Sequence, residues 1–240
     1  MLVEGPNALA EAIDHTEQVF LAGTASEQSR RVARECEAAG IPVLAVTPEA
    51  LAALADAETP QGVVGVARRP RADLAALLDA ATLLVVLDGV ADPGNAGTVI
   101  RTADAAGADG VVLTAGSVDP TNAKAIRASA GSLFHLPVID GVDADQIAAG
   151  CRAAGLRLVA AAADAATPYH DLCLTEPIAI VFGNEAHGLS GDFARRVDLT
   201  VSVPMKRSAR SGYRGHAESL NLATTAAVML FEIARQRNSA

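Results

Sequence analysis

The 240-residue chain has no tryptophan, only 3% aromatic residues and three cysteines. So few rings leave few platforms on which the unpaired bases of a nucleic acid would stack. Cys36, Cys151 and Cys173 are odd in number, far apart and without a CxxC pair, so they read as reduced thiols in the core or on the surface, and no metal site is expected. No run of 18 apolar residues is free of charge, and the opening stretch MLVEGPNALAEAIDH carries acids where a signal peptide would begin basic and turn apolar. A cytoplasmic protein with no membrane partner is the expectation. Positive charge is scarce too: the formal net charge of −9 argues against coating a nucleic acid by bulk electrostatics.

Half the residues are apolar, enough to bury a large core in one large domain or in a medium domain beside a small one. Basic residues gather in one region: residues 195–214 hold six against a single acid, either a local anion-binding patch or a solvated loop. There is no internal repeat and no low-complexity tract. Residues 1 to about 70 read as helix, strand, helix, strand, short helix and a last strand that runs into the basic link RRPR. Gly40 and Pro42 mark the stop between the long helix and the next strand. The boundary falls near residues 71–78, giving domains 1–74 and 75–240. Beyond it, the apolar runs LLVVLD, GVVLT, LRLVAAA, IAIVFG and TVSVP read as strands separated by helices after Asn95, Pro120 and Asp143. That alternation means an α/β fold with a parallel sheet, whose ligands bind at the carboxyl ends of the strands. A final helix over residues 219–237 is apolar on most sides, as expected for a helix buried against a second subunit or in the centre of a monomer.

Three stretches look chemical. DPGNAGTVIRTADAAGADG, residues 92–110, follows a strand with a Gly-rich bend, yet it has neither the GxGxxG spacing of a dinucleotide site nor a Walker loop. It does offer Asn95, Gly97 for close backbone approach, and Arg101, whose placement at the positive end of a helix implies either an anion to meet or an acidic partner such as Asp88 or Asp104. IAIVFGNEAHGLS, residues 178–190, ends a buried strand in Gly183 and follows it with Asn184, Glu185 and His187. PMKRSARSGYRGHAESLNL, residues 204–222, places Ser219 and Asn221 at the start of the last helix, where Ser219 also suits an N-cap.

Taken in order, NxGxxxRTAxxxG, GNExxG and PM…GxxxSLNL resemble the three motifs of the SpoU, or TrmH, family of RNA ribose methyltransferases, and IRASAGSLFHLPVI resembles that family's segment between the first two. The resemblance spans residues 80–237, and residues 3–70 are similar to the small substrate-binding domain carried by many members. It implies a parallel sheet threaded into a trefoil knot, bent S-adenosylmethionine as cofactor, no metal, and a homodimer. Carried onto this chain, it places the cofactor against Gly183, Val203 and Leu220, with the loop after Thr114 as a further wall. The catalytic set becomes Arg101, Asn95, Glu185, Ser219 and Asn221. In the family the first-motif arginine removes the proton from the ribose 2′-hydroxyl. A guanidinium normally stays protonated, so Arg101 better suits holding a phosphate and a developing alkoxide, with proton removal open between Arg101 and Glu185. The third motif departs from the family: nine residues, KRSARSGYR, stand between Met205 and Gly215 where one is usual. Lys206, Arg207, Arg210 and Arg214 make this insertion either a basic flap over RNA, with Tyr213 stacking on a base, or a loop that is neutral or disturbs the cofactor pocket.

The resulting expectation is methylation of a ribose 2′-hydroxyl in large-subunit (23S) ribosomal RNA, with antibiotic resistance as a narrower version. The alternatives are a transfer-RNA methyltransferase, a non-catalytic RNA-binding or ribosome-assembly protein, and a nucleotide-binding α/β enzyme.

Overall fold

A computed structural model describes residues 1–57, 59–205 and 219–238. Strands β1 (Leu2–Glu4), β2 (Thr16–Ala22), β3 (Val43–Val46) and β4 (Val63–Ala67) form a four-stranded sheet in the order β1-β4-β2-β3. β3 lies parallel to β2, while β4 runs antiparallel to β1 and β2. Helices α1 (Pro6–Glu11), α2 (Glu27–Ala38) and α3 (Pro48–Leu54) accompany it. Ser26 and Thr47 accept hydrogen bonds from Ser29 and Ala50 N–H, capping α2 and α3 where the sequence turns from polar to periodic.

The link after β4 leads into α4 (Leu74–Ala80), capped by Asp73, and then into a second sheet. In chain order its parts are β5 (Leu83–Asp88), α5 (Pro93–Ala105), β6 (Gly110–Thr114), α6 (Ala123–Ser129), β7 (Val138–Val142), α7 (Ala144–Ala153), β8 (Arg157–Ala161) and β9 (Thr167–Pro168), then β10 (Ile178–Gly183), α8 (Gly191–Ala194), β11 (Leu199–Ser202) and α9 (Leu222–Asn238). The seven strands stand in the order β7-β6-β5-β10-β8-β11-β9 and pair in parallel throughout. Every residue of β5 is buried, because a central parallel strand is covered on both faces. One cluster packs β5, β6 and β10 against α5 and α9, and a second packs the opposite face against α4 and α7. Cys36 is buried in the N-terminal core, Cys151 in the second of these clusters, and Cys173 is exposed; burial pushes the Cys151 thiol up to about 12.

The parallel sheet and its main strands match the expectation. The sequence reading missed β1, β7, β9, α4 and α8, which are short or lack an apolar run. The last helix begins at Leu222 rather than Ser219. No helix among the described residues is long and apolar enough to cross a membrane.

The two sheets meet along a seam. Phe134, after α6, enters the N-terminal core beside Val3 and Leu9 and stacks on His15 with ring centroids 5.7 Å apart. His135 Nε2 reaches Glu11 at 3.0 Å, Arg127 bridges Glu4 and Asp56, and Arg69 pairs with Asp140.

α5 and α6 pack unusually close at Gly97. A Cβ on Gly97 would overlap the Ala125 carbonyl oxygen and sit 2.7 Å from Ala128 Cβ. The close approach anticipated at this glycine is therefore between two helices of the chain, not between backbone and ligand. Gly97→Ala is expected to destabilise the fold by about 1–3 kcal/mol through overpacking, lowering Tm by several degrees in a calorimetric melt. A melt unchanged within a degree would mean that the helices separate freely.

Candidate functional site

The carboxyl ends of β8, β10 and β11 and the start of α9 enclose a cleft of about 780 Å³, within the range of cofactor pockets. Its apolar wall includes Ala161, Phe182, Val201, Val203 and Leu220, and Asp164, Glu185 and Ser219 also line it. Gly183 ends β10 where the chain must double back: a Cβ there would overlap the Gly188 carbonyl and lie 2.6 Å from Leu189 N. Asn184 holds that turn. Its Nδ2 donates to Gly89 O at 2.7 Å and its Oδ1 accepts from Ala186 and His187 N–H. Asp88, buried at the end of β5, accepts from Ser190 N–H at 2.7 Å and ties the loop to the sheet.

At the rim three side chains from distant parts of the sequence join. Asn221 Oδ1 accepts from Ala223 and Thr224 N–H, so Asn221, not Ser219, caps α9. Its Nδ2 donates to Asn95 Oδ1 at 3.1 Å, and Asn95 Nδ2 donates to Glu185 Oε1 at 2.9 Å. Partial desolvation alone would raise the Glu185 carboxyl, but the Asn95 amide and the backbone N–H groups of Glu185, Ala91 and Asp92 outweigh it and hold the group below the usual carboxylate range. Asn95 is seated by Asp92, whose Oδ1 accepts from Asn95 N–H at 2.8 Å and whose other oxygen meets Lys124 Nζ at 2.8 Å. The Lys124 contact, with that N–H, lowers the Asp92 carboxyl.

Of the residues expected at a site, Gly183, Val203, Leu220, Glu185, Ser219 and Asn221 line the cleft, and Asn95 joins through its two hydrogen bonds. Thr114 is a correction: β6 lies beyond β5 from the cleft, and the buried Thr114 hydroxyl accepts from Gly89 N–H at 2.9 Å, bracing the loop after β5. The wall is instead residues 161–164, after β8, which sequence reasoning missed although they follow an apolar strand at its carboxyl end. Arg101 is a second correction. It stands about two turns beyond the first residue of α5, outside the reach of the helix N-terminus, and it is exposed. It makes no ion pair or hydrogen bond within the described residues, so neither Asp88 nor Asp104 neutralises it. Lys206, Arg207, Arg210, Arg214 and Tyr213 lie outside the described residues.

The methyl donor implied by the sequence fits these residues. A cleft of this volume, with apolar walls beside polar side chains, accommodates a nucleoside, and the carboxylates of Asp164 and Glu185 complement a sulfonium cation. Among the described residues no three His, Cys, Asp or Glu side chains gather as a metal site would require.

Residues 82–231 match the family model of the SpoU rRNA Methylase family, and residues 2–72 match the model described as RNA 2′-O ribose methyltransferase substrate binding. The chain is 33% identical over 235 residues, 97% of its length and 87% of the relative's, to the 23S rRNA (guanosine(2553)-2′-O)-methyltransferase RlmP of Bacillus subtilis. It is 37% identical over 204 residues, 82% of its length and 68% of the relative's, to a 23S rRNA (uridine(2479)-2′-O)-methyltransferase of Streptomyces viridochromogenes. Among solved structures, the SpoU methyltransferase AviRb from Streptomyces viridochromogenes in complex with AdoMet superposes with a TM-score of 0.83 at 30% identity, covering 100% of this chain and 91% of that one. The AdoMet-bound rRNA methyltransferase from Sinorhizobium meliloti gives 0.79 at 31%, covering 98% and 86%.

The hydrogen-bond chain sets a titration. Because the folded site lowers the Glu185 carboxyl, its ionised form contributes stability above the ordinary carboxylate range, and that contribution is lost as pH falls through the lowered value. Asn95→Ala removes the amide donor, so the carboxyl is expected to move up towards its ordinary value in a 13C NMR titration of labelled glutamate. An unmoved Glu185 signal would show that the backbone N–H groups suffice.

Proposed function

The chain belongs to the SpoU methylase family, and on that premise we propose that it transfers a methyl group from S-adenosylmethionine to a ribose 2′-hydroxyl of large-subunit ribosomal RNA. The observation that carries this reading is the Asn221–Asn95–Glu185 hydrogen-bond chain, which draws all three motifs to the rim of one cleft. We assign an RNA-binding domain to residues 1–74 and a methyltransferase domain to 75–240, a reading supported by the matches over residues 2–72 and 82–231. We extend the reading to the trefoil-knotted path, supported by the placement of β10 between β5 and β8.

S-adenosylmethionine, when bound, supplies a methyl group already activated by its sulfonium. Gly183, Val203 and Leu220 line the cleft that receives it. The task left to the chain is to place the ribose hydroxyl and accept its proton. Arg101, exposed and without a partner among the described residues, presents a permanently charged fork to the phosphate beside the target ribose and to the oxyanion that develops there. Glu185 accepts the hydroxyl's hydrogen bond and is the acceptor for its proton. It is a weak base because its carboxyl is lowered, so proton loss accompanies rather than precedes methyl transfer. Asn95 and Asn221 keep Glu185 turned to the rim, and Ser219 lines the same cleft. The basic residues Lys206, Arg207, Arg210 and Arg214 would add phosphate contacts.

Assembly as a homodimer is part of the proposal. One face of α9 buries Ala223, Ala226, Met229, Leu230 and Ile233, while Phe231 on the other is 52% exposed with Val228 half-buried beside it. An apolar face left at the surface suits a second copy of the chain.

Transfer of tritiated methyl to size-fractionated total RNA, compared with Arg101→Lys and Arg101→Ala, tests the chemistry. Label is expected in large ribosomal RNA and resistant to alkaline cleavage at one dinucleotide. Both variants should lose about tenfold or more of the rate, since lysine lacks the fork. A near wild-type rate for Arg101→Lys would refute bidentate holding, and label in transfer RNA would replace the substrate. Separately, Phe231→Glu is expected to halve the mass found by light scattering; a monomeric wild type would remove the dimer.

A further inference from the structure

A second concavity, of about 250 Å³, opens on the seam between the N-terminal sheet and α6. Ala8, Pro60 and Val64 line it together with the polar side chains of Asn7, Gln61 and Arg127. We propose that this seam pocket takes one unpaired base of the substrate RNA, a near neighbour of the methylated nucleotide. The proposal rests on the RNA methylation reading and goes beyond it by assigning a base-reading site remote from the cleft.

The chemistry is that of base recognition. The Gln61 amide makes no hydrogen bond within the described residues, and Asn7 uses its Oδ1 to accept from Gln28 at 2.5 Å while its Nδ2 has no partner there. Amides offer a donor and an acceptor side by side, the pairing that reads base edges. Arg127 is held by Asp56 at 2.8 Å and Glu4 at 3.4 Å, so its planar guanidinium is fixed at the edge of the pocket. In a chain with so few aromatic rings, such a plane is the available stacking surface for a base. The base must be unpaired, because the edges of an A-form duplex are poorly accessible to side chains.

Position sets the distance to the target. Arg127 follows Lys124 by one turn of α6, a rise of roughly 4.5 Å, and Lys124 contacts Asp92, the cap that seats Asn95. α5 makes the same link: Asn95 stands at the cleft, and Asp104 near its other end lies 3.8 Å from His135 Nδ1, whose Nε2 meets Glu11 of the N-terminal part. Both helices thus run from the cleft to the seam, and their contact at Gly97 fixes the span. A base in the pocket would be a few nucleotides from the ribose at Glu185.

The test uses the full-length protein with S-adenosylmethionine and a synthetic fragment carrying the methylated nucleotide, made intact and with single abasic positions around it. Asn7 and Gln61 are exposed, so Asn7→Leu and Gln61→Leu leave the fold intact, as a melt would verify. The double variant is expected to raise KM for the intact fragment about tenfold while its Kd for S-adenosylmethionine keeps the wild-type value. One abasic position should raise the wild-type KM by a similar factor and add nothing in the double variant. Wild-type KM in the double variant, or abasic effects equal in both proteins at every position, would overturn the pocket and leave the methylation reading standing. A wild type that binds S-adenosylmethionine yet methylates no RNA would instead remove the methylation reading, and this proposal with it.

Discussion

The direction of hydrogen bonding at the cleft rim is set at one end and propagates to the other. Asn221 Oδ1 is committed to two backbone N–H groups at the start of α9, so its Nδ2 must donate outward. Asn95 must therefore present Oδ1 to Asn221, which turns its own Nδ2 towards position 185. An acceptor is required there, and a carboxylate accepts without competing donors. Rotating either amide would set donor against donor at one junction and acceptor against acceptor at the next. The helix thereby fixes the charge state and orientation of a side chain at the far end of the chain, and Glu185 stays ionised because every neighbour that touches it donates.

Magnitudes separate what positions these residues from what orients them. Each hydrogen bond of the chain is worth about 1 kcal/mol net. Burying Met229, Leu230 and Ile233 contributes about 1.5–3 kcal/mol apiece. Packing of α9 on α5 therefore brings Asn221 to Asn95, and the amides then select one arrangement. The same holds across the seam, where exposed ion pairs such as Arg127–Asp56 contribute at most about 1 kcal/mol, while Phe134 placed in the N-terminal core supplies the larger apolar term. Packing joins the two parts, and the ion pairs fix the register of the side chains at the seam pocket.

Much of this was legible in the sequence because it depends on local pattern. LLVVLD and IAIVFG are uniformly apolar since both faces of a central parallel strand are covered, and the positions of Asn95, Glu185 and Asn221 follow from motif spacing. Where residues act at a distance, reading failed. Thr114 stands at the end of a strand as a ligand-binding residue would, but only the strand order places β6 away from the cleft. Ser219 has the chemistry of a cap, and Asn221, two residues later, takes that role because its side chain also reaches Asn95. Arg101 looked like a cation near a helix start, yet the helix begins at Pro93, so its position argues for an external partner by its lack of internal ones among the described residues. Neither β1 nor β7 announces itself, since LVE is short and VIDGV carries an acid and a glycine.

An acidic chain that recognises RNA must localise its attraction. Arg31, Arg34, Arg69, Arg127, Arg195 and Arg196 are each paired with a carboxylate, so their charge is largely cancelled where it stands. The net charge of −9 repels a polyanion at long range. Screening confines that repulsion to about 8 Å at physiological ionic strength. A phosphate docked at Arg101, as proposed, would thus be governed by that guanidinium and its immediate surroundings, not by the total charge. Weak long-range attraction suppresses non-specific binding, whose strength comes from phosphate contacts alone. On the proposed reading, discrimination is left to short-range features: a fixed carboxylate, an arginine unpaired among the described residues and a rigid spacing between cleft and seam. Such a design trades encounter rate for selectivity, and it suits an enzyme that must find one ribose among many chemically identical ones.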